Sequence, residues 1–167
     1  FGKFLNLDGS PWASCTRSIL EDSLDQLRTK YELELEIGIE LEFYLLDNSR
    51  SYLNAYSLES FIEEETFLAE YAELLINSGV GLKSLHAENG TAQYELTINR
   101  SSPIEVADQL VLSKAIGQIL ATKRKRHLSF SPIVDQDKVG SGLHIHFSLR
   151  KLNGQPCNLN SNDKVSE

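Results

Sequence analysis

Glu40 and Glu42, in Gly38-Ile39-Glu40-Leu41-Glu42-Phe43, stand two residues apart. On an extended strand that spacing puts both carboxylates on one face with Cα atoms about 7 Å apart. Such a pair can grip one cation from adjacent rungs, or two neighbouring cations. Glu32, Glu34 and Glu36 continue the same face, so a solvated acidic face is the plainer reading. Like charges on one face of a half-buried sheet nevertheless repel: at roughly 4 Å and an effective dielectric near 20, a close pair costs about 4 kcal/mol. Some of these carboxylates must splay into water, take up a proton or hold a cation.

Two further clusters carry chemistry. Glu88 and Glu95 flank a turn in His86-Ala87-Glu88-Asn89-Gly90-Thr91-Ala92-Gln93-Tyr94-Glu95, and Gln93 shares a strand face with Glu95. Taken alone, these read as surface hairpin residues. His144 and His146, in Gly140-Ser141-Gly142-Leu143-His144-Ile145-His146-Phe147-Ser148, share one face of an otherwise apolar strand. Two imidazoles beside a Gly-rich turn are unusual for a plain core. Carboxylate oxygens with an imidazole suit Mg²⁺ or Mn²⁺, whereas zinc sites favour Cys and several His. The Gly-Ser-Gly loop offers backbone N–H groups that could approach a phosphate or carboxylate, a weak signal by itself.

The residue pattern predicts the elements that position these groups. Thr16 to Lys30 reads as an amphipathic helix, with Ile19, Leu20, Leu24 and Leu27 at helical spacing and Arg28 and Lys30 near its negative end. From Tyr31 to Leu46 the period switches to two, apolar residues alternating with glutamates. A polar loop, Asp47 to Asn54, precedes a predicted helix over Leu58–Asn77 that stops at Asn77-Ser78-Gly79. Strands around Leu82–Leu85 and Ala92–Ile98 are joined by Asn89-Gly90-Thr91, a hairpin-type turn. Ser102-Pro103 opens a long helix with Glu105 in its first turn and a basic tail, Lys123-Arg124-Lys125-Arg126. Strands over Leu128–Val134 and Leu143–Leu149 follow. The expectation is an α+β fold, a largely antiparallel sheet flanked by helices.

Composition bounds the partners. The 167 residues carry 16 Lys+Arg against 24 Asp+Glu, a net charge of -8, which argues against a nucleic-acid binder. No apolar run approaches the ~20 residues of a membrane span, so no membrane partner is expected. Cys15 and Cys157 have no pairing motif, and a cytoplasmic location is the default. The chain contains no methionine, begins at Phe1 and stops after a polar stretch. The expectation is a piece of a longer protein, with residues 1–167 forming a single incomplete domain.

In order and spacing, these pieces resemble glutamine synthetase. The resemblance runs through Asp8 to Leu20, Gly38 to Asp47, His86 to Leu96, Ala107-Asp108 with Lys114, Phe130-Ser131-Pro132, Gly140 to Leu149, and Val165-Ser166-Glu167. It implies the first half of that family's catalytic domain. The implied activity joins ammonia or another amine to the γ-carboxylate of glutamate at the expense of ATP, through γ-glutamyl phosphate. The resemblance further implies that Glu42, Glu88 and Glu95 hold one Mg²⁺ or Mn²⁺ ion, and that Glu40 and His144 hold a second. His146 and Ser148 would contact ATP, and Gly140 would contact glutamate. A ring-shaped homo-oligomer is implied for the full-length protein, and the isolated chain is expected to lack ligase activity.

Departures from the family pattern leave the acceptor amine open. Val139 stands where Asn is usual, Lys83 where an acidic residue is common, and Ala92 where Gly is usual before the Gln-x-Glu motif. Glu-x-Gly-x-Ala-Gln-Tyr-Glu at 88–95 is closer in style to γ-glutamyl-polyamine ligases. A non-catalytic structural or binding relative is the alternative. A zinc hydrolase built on His144-Ile145-His146 needs further His ligands, and in sequence His86 and His127 lack suitable company.

Overall fold

The computed structural model describes residues 1–46 and 55–157. The polar loop Asp47 to Asn54 and the Val165-Ser166-Glu167 motif lie outside the described residues. The elements run α1 (Thr16–Tyr31), β1 (Leu33–Leu46), α2 (Leu58–Glu63), α3 (Glu65–Asn77), β2 (Leu82–Ala87), β3 (Gln93–Ser101), α4 (Pro103–Lys123), β4 (His127–Ser129) and β5 (Leu143–Lys151). The sheet order is β2-β3-β1-β4, and β5 also pairs with β1. The β1–β4 and β2–β3 pairs are antiparallel. The architecture is α+β, as the alternation of periods predicts. Among the described residues no helix is long and apolar enough to cross a membrane.

The chain divides into two compact units, the first comprising Phe1–Ile37, Arg100–Asp108 and His146–Glu167. Here α1 ends because Glu32 enters the left-handed region (φ 56) and returns its N–H to the carbonyls of Arg28 and Leu27. Leu33 therefore begins the strand, two residues later than the period alone suggests. Arg17 grips Asp108 in a two-bond fork (2.5 and 2.9 Å), which holds the Asp108 carboxyl below the usual carboxylate range.

The second unit, Gly38–Asn99 and Gln109–Ile145, contains most of the apolar core. Alternate β1 residues Ile39, Leu41 and Phe43 are buried, as their period of two requires. Phe43 packs edge-on against Tyr71 and also meets Tyr94 and Phe130, each with ring centroids 5.8 Å apart. Buried Tyr71 and Tyr94 donate their hydroxyls to the carbonyls of Ser113 and Ser60, both at 2.9 Å, so the aromatic core leaves neither hydroxyl unsatisfied.

Two elements differ from the sequence expectation. The helix predicted over 58–77 is broken at Glu64, which is only 3% exposed. Its carboxylate turns inward to a fork with Arg126 (2.7 and 3.1 Å) at the point where the helix breaks. The strand predicted over 128–134 stops at Ser129. Pro132 has no N–H to give a ladder, and the Ser129 hydroxyl takes the N–H of Ser131 at 3.2 Å. The chain from Phe130 to Gly142 is thereby freed to fold as a loop.

Candidate metal and substrate site

In the second unit, β1 supplies Glu40 and Glu42, the β2–β3 hairpin supplies His86, Glu88, Gln93 and Glu95, and the start of β5 supplies His144. Ligand-capable atoms of Glu40, Glu95 and His144 all lie within 4.8 Å of one another, and so do those of His86, Glu88 and Glu95. Glu95 belongs to both groups. Five residues distant in sequence thus converge because β1 brings its acidic face beside β3.

The hairpin register explains the second group. His86 pairs directly with Glu95 across the ladder, and its Nε2 lies 3.3 Å from Glu95 Oε1. Glu88 sits just past the end of β2, where its Oε2 accepts the N–H of Asn89 at 3.0 Å. Tyr56, in the left-handed region (φ 55), hydrogen-bonds Glu88 through its hydroxyl and donates its backbone N–H to the Glu88 carbonyl at 3.0 Å. The negative charge of Glu88 raises the Tyr56 phenol above its ordinary value.

Glu42 is held differently. Its Oε2 accepts two N–H groups at 2.9 Å, one from Gln93 Nε2 and one from the backbone of Gly142. Gly142 lies so close that a Cβ there would stand 2.9 Å from both Glu42 Oε1 and His144 Nε2. Only glycine lets the loop approach these two side chains unhindered. Gln93, 1% exposed, also donates to the Gly140 carbonyl at 3.0 Å, and its Oε1 accepts the N–H of Gly90 at 2.8 Å. One buried amide therefore ties Glu42, the Gly140 loop and the hairpin turn together. Beside it, Tyr44, Leu46, Thr91, Asp135, Asp137 and Lys138 help to wall a cavity of about 400 Å³.

The electrostatics call for positive charge. Glu95 is 7% exposed, and burial raises its carboxyl above the ordinary value; Glu40, Glu88 and Glu42 add to the rise, while His86 opposes it. His144 Nδ1 lies 3.2 Å from Glu40 Oε2, so one imidazole meets each end of the cluster. Oxygen donors with a minority of nitrogen, crowded and partly desolvated, fit a Mg²⁺- or Mn²⁺-class ion.

Residues 13–167 match the family model described as glutamine synthetase, catalytic domain. The chain belongs to the glutamine synthetase family. Type-1 glutamine synthetase 1 of Dictyostelium discoideum is 28% identical to it, over 92% of this chain and 35% of that protein. Gamma-glutamylputrescine synthetase PuuA of Escherichia coli is 26% identical, over 89% of this chain and 35% of that protein. A solved crystal structure of a glutamine synthase homologue matches with a TM-score of 0.90 at 26% identity, covering 98% of this chain and 39% of that one. The chain spans about a third of the length of these curated relatives.

Of the residues the family pattern implies, Glu40, Glu95 and His144 come together in one ligand-capable group and Glu88 and Glu95 in the other, whereas Glu42 falls in neither and is held by Gln93 and Gly142. The Gly140 carbonyl accepts from Gln93, the same amide that bonds Glu42. His146 and Ser148 lie further along β5, in the first unit, where His146 is exposed and Ser148 half-buried. Sequence reasoning underrated His86 and Gln93 and did not single out Tyr56. His86 groups with Glu88 and Glu95 and not with His144 or His146, and its signal was the register that sets it opposite Glu95.

Proposed function

We propose that this chain carries the divalent-metal face and part of the substrate face of an ATP-dependent ligase that joins an amine to the γ-carboxylate of glutamate. The observation that carries this reading is the pair of ligand-capable groups, Glu40 with His144 and Glu88 with His86, that share Glu95 in a chain of this family. Relatives named for ammonia-type and putrescine-type products support the reaction class and leave the acceptor as ammonia or another amine.

On this reading Glu42, Glu88 and Glu95 hold one ion, Glu40 and His144 a second, His146 and Ser148 contact ATP, and Gly140 contacts glutamate. Bound Mg²⁺ or Mn²⁺ would screen the triphosphate from the anionic nucleophile and offset charge developing in phosphoryl transfer. The glutamate γ-carboxylate oxygen attacks the γ-phosphorus, ADP leaves, the amine attacks the acyl carbon, and phosphate departs. The chain's own part is positioning. Gln93 fixes Glu42 against the Gly140 loop, so the carboxylate that meets metal and the backbone that meets glutamate keep one geometry. Residues 1–167 are then the first part of a single catalytic domain of a cytoplasmic enzyme that works as a ring-shaped homo-oligomer. The chain by itself is inactive on this reading.

The test has two arms. Mn²⁺ titrated into the chain should bind saturably at micromolar to millimolar concentrations. In a full-length protein carrying this segment, glutamate- and amine-dependent phosphate release should be lost in Glu42→Ala and His144→Ala. Absence of Mn²⁺ binding would leave the non-catalytic relative as the better reading; near-normal turnover in either variant would remove that residue from the ligand set.

A further inference from the structure

His86 is half-exposed on β2, directly opposite Glu95 on β3. Its Nδ1 lies 3.0 Å from the Ala87 carbonyl, an oxygen that can only accept, so this contact places the hydrogen on Nδ1. In the neutral ring the Nε2 lone pair then points at Glu95 Oε1 across 3.3 Å. That geometry leaves Nε2 two partners: a cation shared with Glu95, or in the imidazolium the Glu95 carboxylate itself, to which Nε2–H donates. A backbone carbonyl holding the other ring nitrogen is the arrangement that orients metal-binding imidazoles.

The distances suit a shared ion. Two ligand atoms each about 2.1 Å from one ion stand about 3.0 Å apart at a right angle and about 3.4 Å at the tetrahedral angle. The 3.3 Å between Nε2 and Oε1 falls in that interval, and Glu88 supplies a further oxygen in the same group. Glu42 belongs to neither ligand-capable group, its Oε2 being bonded to the Gln93 amide and the Gly142 N–H.

We propose that His86 is an inner-sphere ligand, through Nε2, of the ion held by Glu88 and Glu95. The inference rests on the metal-binding reading above and adds a nitrogen donor to that ion. A nitrogen donor shifts preference toward Mn²⁺, Co²⁺ and Zn²⁺ relative to Mg²⁺. Pulsed EPR of the 167-residue chain loaded with Mn²⁺ tests it directly. The His144→Gln variant should keep a ¹⁴N coupling, and adding His86→Gln should abolish it. His86→Gln alone should weaken Mn²⁺ binding roughly 10- to 100-fold, the range that changes around a ligand commonly reach, and weaken Mg²⁺ binding less. Circular dichroism confirms that each variant is folded. If Mn²⁺ binds but His144→Gln alone removes every nitrogen coupling, His86 carries no metal and pairs with Glu95 as an imidazolium; the metal reading survives. If no Mn²⁺ binds, both readings fall.

Discussion

Replacing Glu95 by Gln should make the metal-free chain more stable and make it indifferent to metal. The Glu95 side chain is 10% exposed, and its carboxylate lies within 4.8 Å of ligand atoms from Glu40 on one side and Glu88 on the other. At 4.8 Å and an effective dielectric near 20, each like-charge pair costs about 3.5 kcal/mol before screening by solvent. Glu40 is 30% and Glu88 13% exposed, so solvent reduces each interaction to about 1 kcal/mol. Burial of the charge adds to this, and losing the His86 contact subtracts at most about 1 kcal/mol. The expected net gain at pH 7 is about 1–2 kcal/mol, or about 2–4 °C in Tm per kcal/mol for a chain of this size. Because the folded carboxyl titrates above its ordinary value of 4.5, the native chain binds more protons than the unfolded chain from pH 4.5 up to the raised value. Wild-type stability therefore falls as pH rises through that window, and the advantage of the variant fades below it. Mn²⁺ should reverse the order: at a hundred times Kd it stabilises the wild type by about 2.7 kcal/mol, and the variant far less. Urea unfolding at pH 4 and pH 7, with and without Mn²⁺, reads all four quantities. A Glu95→Gln chain that is less stable than wild type at pH 7 without metal would refute the reasoning.

Three other outcomes follow from particular contacts. Arg126→Met leaves the buried Glu64 carboxylate without its guanidinium, and neutralising a glutamate of ordinary pKa about 4.3 at pH 7 bounds the cost at about 3.7 kcal/mol, falling to about 1 kcal/mol at pH 5; denaturation at both pH values checks it. Gly142→Ala presses on the mobile ends of Glu42 and His144 rather than on backbone, so Tm should change by less than the equivalent of about 1 kcal/mol while Mn²⁺ affinity, read by titration, falls at least tenfold. The Arg17–Asp108 fork lowers the Asp108 carboxyl from 3.8, so its stabilisation is present above that pH and is lost as pH falls through the lowered value; Asp108→Asn should be less stable than wild type at pH 6, and the gap should close in strong acid when followed by the fluorescence of Trp12.

The parts of the fold that sequence displayed were those governed by local period. β1 announced itself because its first eleven residues, Leu33 to Phe43, alternate under one rule, and burial of Ile39, Leu41 and Phe43 follows from that alternation. The burial of Glu64 at the break was hidden because Arg126, which pairs with it, lies 62 residues away. The early stop of β4 was half visible in Pro132, but the Ser129 hydroxyl that completes it is a side-chain competition no period records. In the site, residue types suggested metal chemistry, whereas the assignment of neighbours needed the register. Gln93 and Glu95 read as ordinary hairpin residues until the ladder buried them at 1% and 7% exposure.

Backbone strain separates the site from the rest of the described chain. Four non-glycine residues there have positive φ: Glu32, Tyr56, Ala92 and Lys125. Glu32 and Lys125 close α1 and α4, where a left-handed residue satisfies end carbonyls, and they need no other cause. Tyr56 and Ala92 end no helix. Tyr56 bonds Glu88, and Ala92 precedes Gln93 while its carbonyl takes the N–H of Leu45 at 3.0 Å. Each costs about 1–2 kcal/mol in a residue bearing a Cβ, and both lie where the hairpin turn must present Glu88 and Gln93 to β1. A merely structural hairpin gains nothing from that strain, and it gains nothing from burying Glu95 among carboxylates. Strained backbone at Tyr56 and Ala92 thus lies in the same hairpin region as the buried, like-charged Glu95, and a cation bound there would relieve the charge conflict.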